Sequence, residues 1–259
     1  LEAIRNGNPL TTADKMNLIV SLSIPFILAQ ITSVLMFFID ASMVGHLGAG
    51  PSASIGLVES TTWLFGSITS AASMGFSVQV AHFIGANDFK KARQVFRHAL
   101  VATTLLSLIV VFIAIAIAKP LPYWLGGGAD IADDASLYFM IFALAVPFFQ
   151  LSNLSGAMLK CSGDMRIPSI MSVMMCILDV AFNYIFIFVF KLGVMGAAIG
   201  TALAIFIGAI CQAYFAIIKN KILNLKQDSE HFKWIWEYIH NALKIGSPMA
   251  FQSSACRQI

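Results

Sequence analysis

Charge is scarce in this chain. Asp, Glu, Lys and Arg make up 11 % of its residues, less than half of the about 25 % usual in a soluble domain. With 58 % hydrophobic residues and a mean hydropathy of +0.82, that deficit excludes a water-solvated globular domain. The net charge of +3 is no nucleic-acid signal, because the basic residues sit in short clusters between apolar runs. Cysteine is sparse too. Cys161, Cys176, Cys211 and Cys256 form no CxxC pair and show no metal-ligand spacing, so they read as small apolar fillers. HExxH and GxSxG are absent, and the chain is not read as an enzyme. No cleavable signal peptide is expected, since residues 1–16 are polar and the first apolar run is long enough to span.

What the chain does have is long apolar runs. A membrane span needs about 20 apolar residues at a rise of about 1.5 Å each. Six segments qualify, near 17–44, 52–84, 92–118, 136–160, 168–190 and 195–218, and a seventh begins near 241. The runs are continuous and do not alternate, which argues for helices and against a β-barrel. The fold class is thus an all-α polytopic membrane protein: a six-helix bundle over 1–218, a linker over 219–240 and the start of a second bundle over 241–259.

The connections are of two kinds. Lys90, Lys91, Arg93 and Arg97 follow the second span, Lys160 and Arg166 flank the next turn on that side, and Lys219, Lys221, Lys226 and Lys233 follow the sixth. The intervening connections hold only Lys119 and Lys191. The positive-inside rule then puts the N-terminus in the cytoplasm of a cell-membrane protein. Gly126-Gly127-Gly128 reads as a turn, since it follows no strand and has acidic neighbours. Trp234, Trp236 and Tyr238 read as an interfacial helix at the headgroups. Ser23-Ile24-Pro25-Phe26 is echoed 223 residues later by Gly246-Ser247-Pro248-Met249. Six intervening spans give both copies one orientation, as in a parallel repeat. The chain reads as one lobe of a transporter plus the beginning of another.

Three acidic residues interrupt the apolar runs: Asp40, Glu59 and Asp179. A charge in hydrocarbon costs roughly 2.5–3.5 kcal/mol on insertion scales and marks ion, proton or substrate handling. Counting along each span puts Asp40, Glu59, Asn183 and Thr201 roughly 7–10 Å below the outer ends, with Asp179 one turn deeper. Asp179 and Asn183, four apart, share a helix face. Gln30, Ser33, Phe37 and Asp40 form a polar stripe expected to face the bundle interior. Two carboxylates, an amide and a hydroxyl would hold Na⁺ through oxygen ligands or share a proton. The same groups would also serve as a hydrogen-bond network locking the helices. Pro25 and Pro147, inside the first and fourth spans, each remove a backbone hydrogen bond and permit bending. The 21 Phe and 12 Met residues fill the bundle or face lipid, and a cleft they line would accept varied organic cations.

In these residues the chain resembles the multidrug and toxic compound extrusion (MATE) family. The resemblance rests on Pro25, on Asp40-Ala41-Ser42-Met43-Val44-Gly45-His46-Leu47-Gly48, and on Gly85-Ala86-Asn87-Asp88 with the basic residues after it. It continues through Ser162-Gly163-Asp164-Met165-Arg166-Ile167-Pro168, Asp179 to Asn183-Tyr184, and Gly196-Ala197-Ala198-Ile199-Gly200-Thr201. It implies a twelve-helix protein of two lobes, acting as a monomer, that exchanges Na⁺ or H⁺ for organic, often cationic, compounds. No cofactor beyond the coupling ion and no nucleic-acid partner are implied; the partners are small organic molecules and membrane lipid. Asp40, Asp179, Asn183 and Thr201 would form the cation or proton site. Pro25 would bend the first helix. Gln30, Ser33, Phe37, Glu59 and Tyr184 are candidate cavity-lining residues. On the fifth span the chain departs from the family, with Asp179 where Asn is common and Asn183 where Asp is common. A lipid-linked oligosaccharide flippase of the same superfamily is the alternative, but it needs a basic cavity and the spans here hold no interior Arg or Lys. An intramembrane aspartyl protease built on Asp40 and Asp179 needs Gly-x-Gly-Asp, whereas the one Gly-Asp, Gly163-Asp164, follows Cys161-Ser162. A seven-helix receptor would need the opposite N-terminal orientation.

Overall fold

The computed structural model describes residues 11–225 and 234–255 and shows no strand among them. Its helices are α1 (Thr12–Gly45), α2 (Ala49–Gly85), α3 (Phe89–Ala118), the single turn α4 (Leu121–Trp124), α5 (Ala129–Cys161), α6 (Arg166–Tyr184), α7 (Gly193–Tyr214) and α8 (Trp236–Ala255). Wider π turns extend α6 through Ile185–Val189 and α7 through Phe215–Lys219.

Each of the six spans read from the sequence is one helix. Several start earlier than hydropathy indicates, because the caps are polar. Thr11 Oγ1 accepts from Asp14 N while the Asp14 carboxylate accepts from Thr11 N, so α1 begins at Thr12 and not near 17. Asp88 Oδ1 accepts from Lys91 N and starts α3, and Asp164 Oδ1 accepts from the N–H groups of Arg166 and Ile167 and starts α6. α5 starts at Ala129 and not near 136, with Asp130 in a first turn that favours negative charge. The three glycines before it form the expected turn: Gly126 has φ +85° and Gly127 N bonds Pro122 O at 2.8 Å.

Five of the helices are long and apolar enough to cross a membrane: α1, α3, α5, and α6 and α7 with their π turns. α2 is not one of them, although at 37 residues it is the longest. It is rich in Ser, Thr and Gly, and neighbours cover it: α3, α5 and α8 all pack along it. Small side chains such as Ser73, Gly75 and Ser77 let those helices come close, which is how helices associate where lipid is as apolar as the core. At Gly75 an added Cβ would fall within contact distance of the Ala242 carbonyl of α8, and at Gly246 it would lie 2.8 Å from Ala71 O. α5 ties to both flanks by side-chain bonds, Gln150 Nε2 to Ser73 Oγ at 2.9 Å and Ser152 Oγ to Gln212 Oε1 at 2.9 Å. Cys161, one of the expected fillers, also donates its thiol to Ser77 O.

α1 is built differently. None of its residues is buried, and it leans mainly on α6. The stretch 219–240 read as a linker lies partly outside the described residues, at 226–233, and its last residues already belong to α8. Trp236 is exposed. Tyr238 instead packs against Phe83 and His98. His98 is buried in α3, with Nδ1 at 2.7 Å from Gln94 O and Nε2 accepting Ile235 N–H at 3.0 Å. The entry to α8 is thereby fixed to α3.

Candidate functional site: a polar cluster of three helices

Four residues singled out in the sequence meet. Asn183 of α6 donates from Nδ2 to Asp40 Oδ1 of α1 at 3.0 Å, to Asp179 Oδ2 at 3.2 Å and to Thr201 Oγ1 of α7 at 3.4 Å. Asp179 and Asn183 are buried, while Asp40 and Thr201 are half-buried. An amide nitrogen carries two hydrogens, so three oxygens compete for them. Two more acceptors, Asp179 Oδ1 and Asn183 Oδ1, are buried with no hydrogen-bond partner. Each such orphan costs about 1–3 kcal/mol. The cluster is thus short of donors, and a proton or a cation would supply what it lacks. Its donor atoms are all oxygens, which suits a hard cation such as Na⁺. Among the described residues no three His, Cys, Asp or Glu side chains group as they would for a transition metal.

α7 reaches the cluster because Gly200 has no side chain. A Cβ there would overlap Asn183 Oδ1 and lie 2.9 Å from Asn183 N. One turn earlier, a Cβ at Gly196 would lie 2.8 Å from Phe186 O. Glycines at 196 and 200 therefore bring α6 and α7 together where Thr201 must reach Asn183.

The other candidates lie apart. Glu59 of α2 accepts from Trp63 Nε1 at 3.2 Å and shows no bond to the cluster, so three helices and not four contribute to it. Gln30, Ser33 and Phe37 are exposed, and Ser33 Oγ turns back to Ala29 O of its own helix. The polar stripe of α1 thus meets the described bundle only at Asp40. Tyr184 is exposed with its ring against Phe188. Pro25 sits inside α1, where it denies a backbone donor to Ser21 O, and the Ser169 hydroxyl of α6 lies 2.8 Å from both Pro25 O and Met165 O of its own helix, which share its one hydrogen. The sequence reading missed Tyr138 of α5, which lies within electrostatic reach of Asp40, Glu59 and Asp179. Its position about 14 Å from the start of α5 places it at the depth of the cluster.

Known proteins resemble this chain in sequence and in fold. The chain is 24 % identical over 239 residues to the probable multidrug resistance protein NorM of Thermotoga maritima, covering 91 % of the chain and 51 % of the relative. It is 22 % identical over 234 residues to the multidrug export protein MepA of Staphylococcus saprophyticus, covering 89 % of the chain and 51 % of that relative. The chain thus spans about half the length of these relatives. A solved structure of a MOP superfamily transporter from Pyrococcus furiosus shares the fold, with a TM-score of 0.84 at 23 % identity over 91 % of this chain and 52 % of that one. The MatE family model matches residues 25–185, from the proline of α1 past the Asp179–Asn183 pair. The chain accordingly belongs to the MatE family, whose members are membrane transporters and not enzymes.

Proposed function

We propose that this chain forms the coupling lobe of a Na⁺- or H⁺-driven antiporter that exports organic, often cationic, compounds across the cytoplasmic membrane. The observation that carries the proposal is the donor-poor cluster, in which a buried amide serves Asp40, Asp179 and Thr201 while two buried oxygens stay unbonded. A cation or proton arriving there would neutralise one carboxylate and draw Asp40, and α1 with it, against α6 and α7. Its departure would leave two carboxylates facing one amide and loosen α1. α1 is suited to move: it buries no residue and carries Pro25 in its interior. The multidrug names of the NorM and MepA relatives support an organic substrate. The clustering of basic connections at one end supports a cytoplasmic N-terminus.

The test uses full-length protein in proteoliposomes with ethidium as the transported cation. A Na⁺ gradient and a pH gradient are imposed separately on wild type and Asp179→Asn. One gradient is expected to drive ethidium in wild type and to fail in the variant. Folded protein that moves ethidium under neither gradient, or a variant that transports like wild type, would overturn the proposal.

A further inference from the structure

We propose that the basic end of α1, α6 and α7 holds an anionic phospholipid, with its phosphate among Arg166, Lys219 and Lys221 and an acyl chain along the α1–α6 groove. The inference needs only the membrane setting and does not depend on what is transported.

Two cavities meet there. One, of about 550 Å³, is lined by Ser21 and Leu22 of α1, by the turn from Ser162 to Arg166, and by Lys219 to Ile222. Arg166, Lys219 and Lys221 are all exposed, and none forms an ion pair with a described residue. Asp164 is the one acidic residue of the lining, which leaves an excess of two positive charges. Its Oδ1 is already turned to the first N–H groups of α6. The second cavity, of about 560 Å³, has an almost wholly apolar wall that includes Pro25, Leu28, Ile170, Val173 and Ile177. Arg166 lines both, so a single side chain borders the apolar cavity with its aliphatic stem and also borders the polar one. A planar guanidinium binds phosphate oxygens in pairs, and lysines add point charge. A charged head joined to an apolar tail of this order matches a phospholipid, whereas free phosphate would have no use for the groove.

The polar wall is preformed. Asn220 Nδ2 donates to Ser162 Oγ at 2.7 Å, and Asn220 Oδ1 accepts from Ile222 N and Leu223 N at 2.9 and 3.0 Å. One side chain thus fixes the end of α7 to the α5–α6 turn and sets where Lys219 and Lys221 stand. On the α1 side, Lys160 Nζ lies 5.7 Å from the Phe26 ring centroid, and Ser169 bonds Pro25 O. The site therefore spans the contact by which the proline segment of α1 is held to the bundle.

The test titrates delipidated full-length protein with dioleoyl phosphatidylglycerol or dioleoyl phosphatidylcholine and counts retained lipid by native mass spectrometry. Wild type is expected to prefer the phosphatidylglycerol. Each cation changed to Gln among Arg166, Lys219 and Lys221 is expected to weaken that preference about fivefold, and the triple variant roughly a hundredfold. Lys119→Gln, at the other end of the bundle, leaves the preference unchanged. Ile170→Trp, which fills the groove, lowers retention of both lipids alike. Equal retention of the two lipids by wild type, or an undiminished preference in the triple variant, overturns the site. Full displacement of phosphatidylglycerol by millimolar inorganic phosphate overturns the lipid as its occupant.

Discussion

Gly200→Ala adds one methyl group at the contact between α6 and α7. The new Cβ would overlap Asn183 Oδ1 and begin 2.9 Å from Asn183 N. Ordinary contact is about 3.5 Å, so the side-chain oxygen must swing clear and the backbone must move by about 0.6 Å. The side chain can swing, but doing so turns Nδ2 away from Asp40, Asp179 and Thr201. Hydrogen bonds between membrane helices average about 0.6 kcal/mol, giving about 1 kcal/mol for the two that cross to α1 and α7. Overpacking of a tight contact adds about 1–3 kcal/mol, and the helix propensity of Ala returns up to about 1 kcal/mol. A net loss of about 1–4 kcal/mol is therefore expected, read as a shift of the unfolding equilibrium in mixed dodecyl sulfate micelles. Gly56→Ala is the matched control. It adds the same methyl inside α2 with nothing within 4 Å, and a gain of up to about 1 kcal/mol is expected from helix propensity. If Gly200→Ala unfolds with wild type, or if both variants are destabilised equally, the reasoning from the close approach is wrong.

Four further outcomes are expected. His98→Ala removes the acceptor of Ile235 N–H, and exchange of that amide should quicken roughly 5- to 150-fold, corresponding to about 1–3 kcal/mol; unchanged exchange would mean that α8 is held by other contacts alone. Ser169→Ala removes the donor to Pro25 O, so spin-label distances between α1 and α6 should broaden while helicity stays constant, and an unchanged distribution refutes the tie. Gly75→Leu should detach α8 from α2 and lower thermal stability, whereas Gly45→Leu, at a glycine with open space around it, should not. Asp88 accepts the Lys91 N–H and pairs with its ammonium, which holds its carboxyl below the usual range. Its contribution to stability is therefore full at neutral pH and above the unfolded carboxylate value, and it is lost as pH falls through the lower folded value. A carboxyl carbon titration by NMR should show that lowered midpoint, and a midpoint at or above the ordinary value contradicts the cap.

Much of the cluster was legible because helix geometry is regular. Asp179 and Asn183 declare a shared face by their spacing, and counting residues from the ends of the spans sets Asp40 and Thr201 at a matching depth. Partners were less legible than positions. Spacing puts Gln30, Ser33, Phe37 and Asp40 on one face, yet a period says nothing of which neighbour covers that face: Gln30, Ser33 and Phe37 are exposed and Asp40 bonds Asn183. Glu59 has the right depth but finds Trp63 on its own helix. Tyr138 gave no signal, because one Tyr in an apolar run has no periodicity. Gly200 stood inside a quoted motif, but its role depends on a distance to another helix. α2 shows the converse case. Its hydropathy is lower than that of the other long helices because it carries many Ser, Thr and Gly, several of which are buried against the helices packed along it. Helix starts were missed where caps such as Thr11 and Asp88 lie outside the apolar runs.

The most direct test of the central claim is coupling-ion binding by purified full-length protein. Calorimetry would measure Na⁺ binding, and a pH-indicator dye would measure proton uptake, in wild type, Asp40→Asn, Asp179→Asn and Glu59→Gln. One of the two ions should bind wild type and Glu59→Gln alike and be lost from both Asp variants, because Glu59 lies outside the hydrogen-bonded cluster. Binding that survives Asp179→Asn, or that disappears in Glu59→Gln while the Asp variants retain it, would contradict the account.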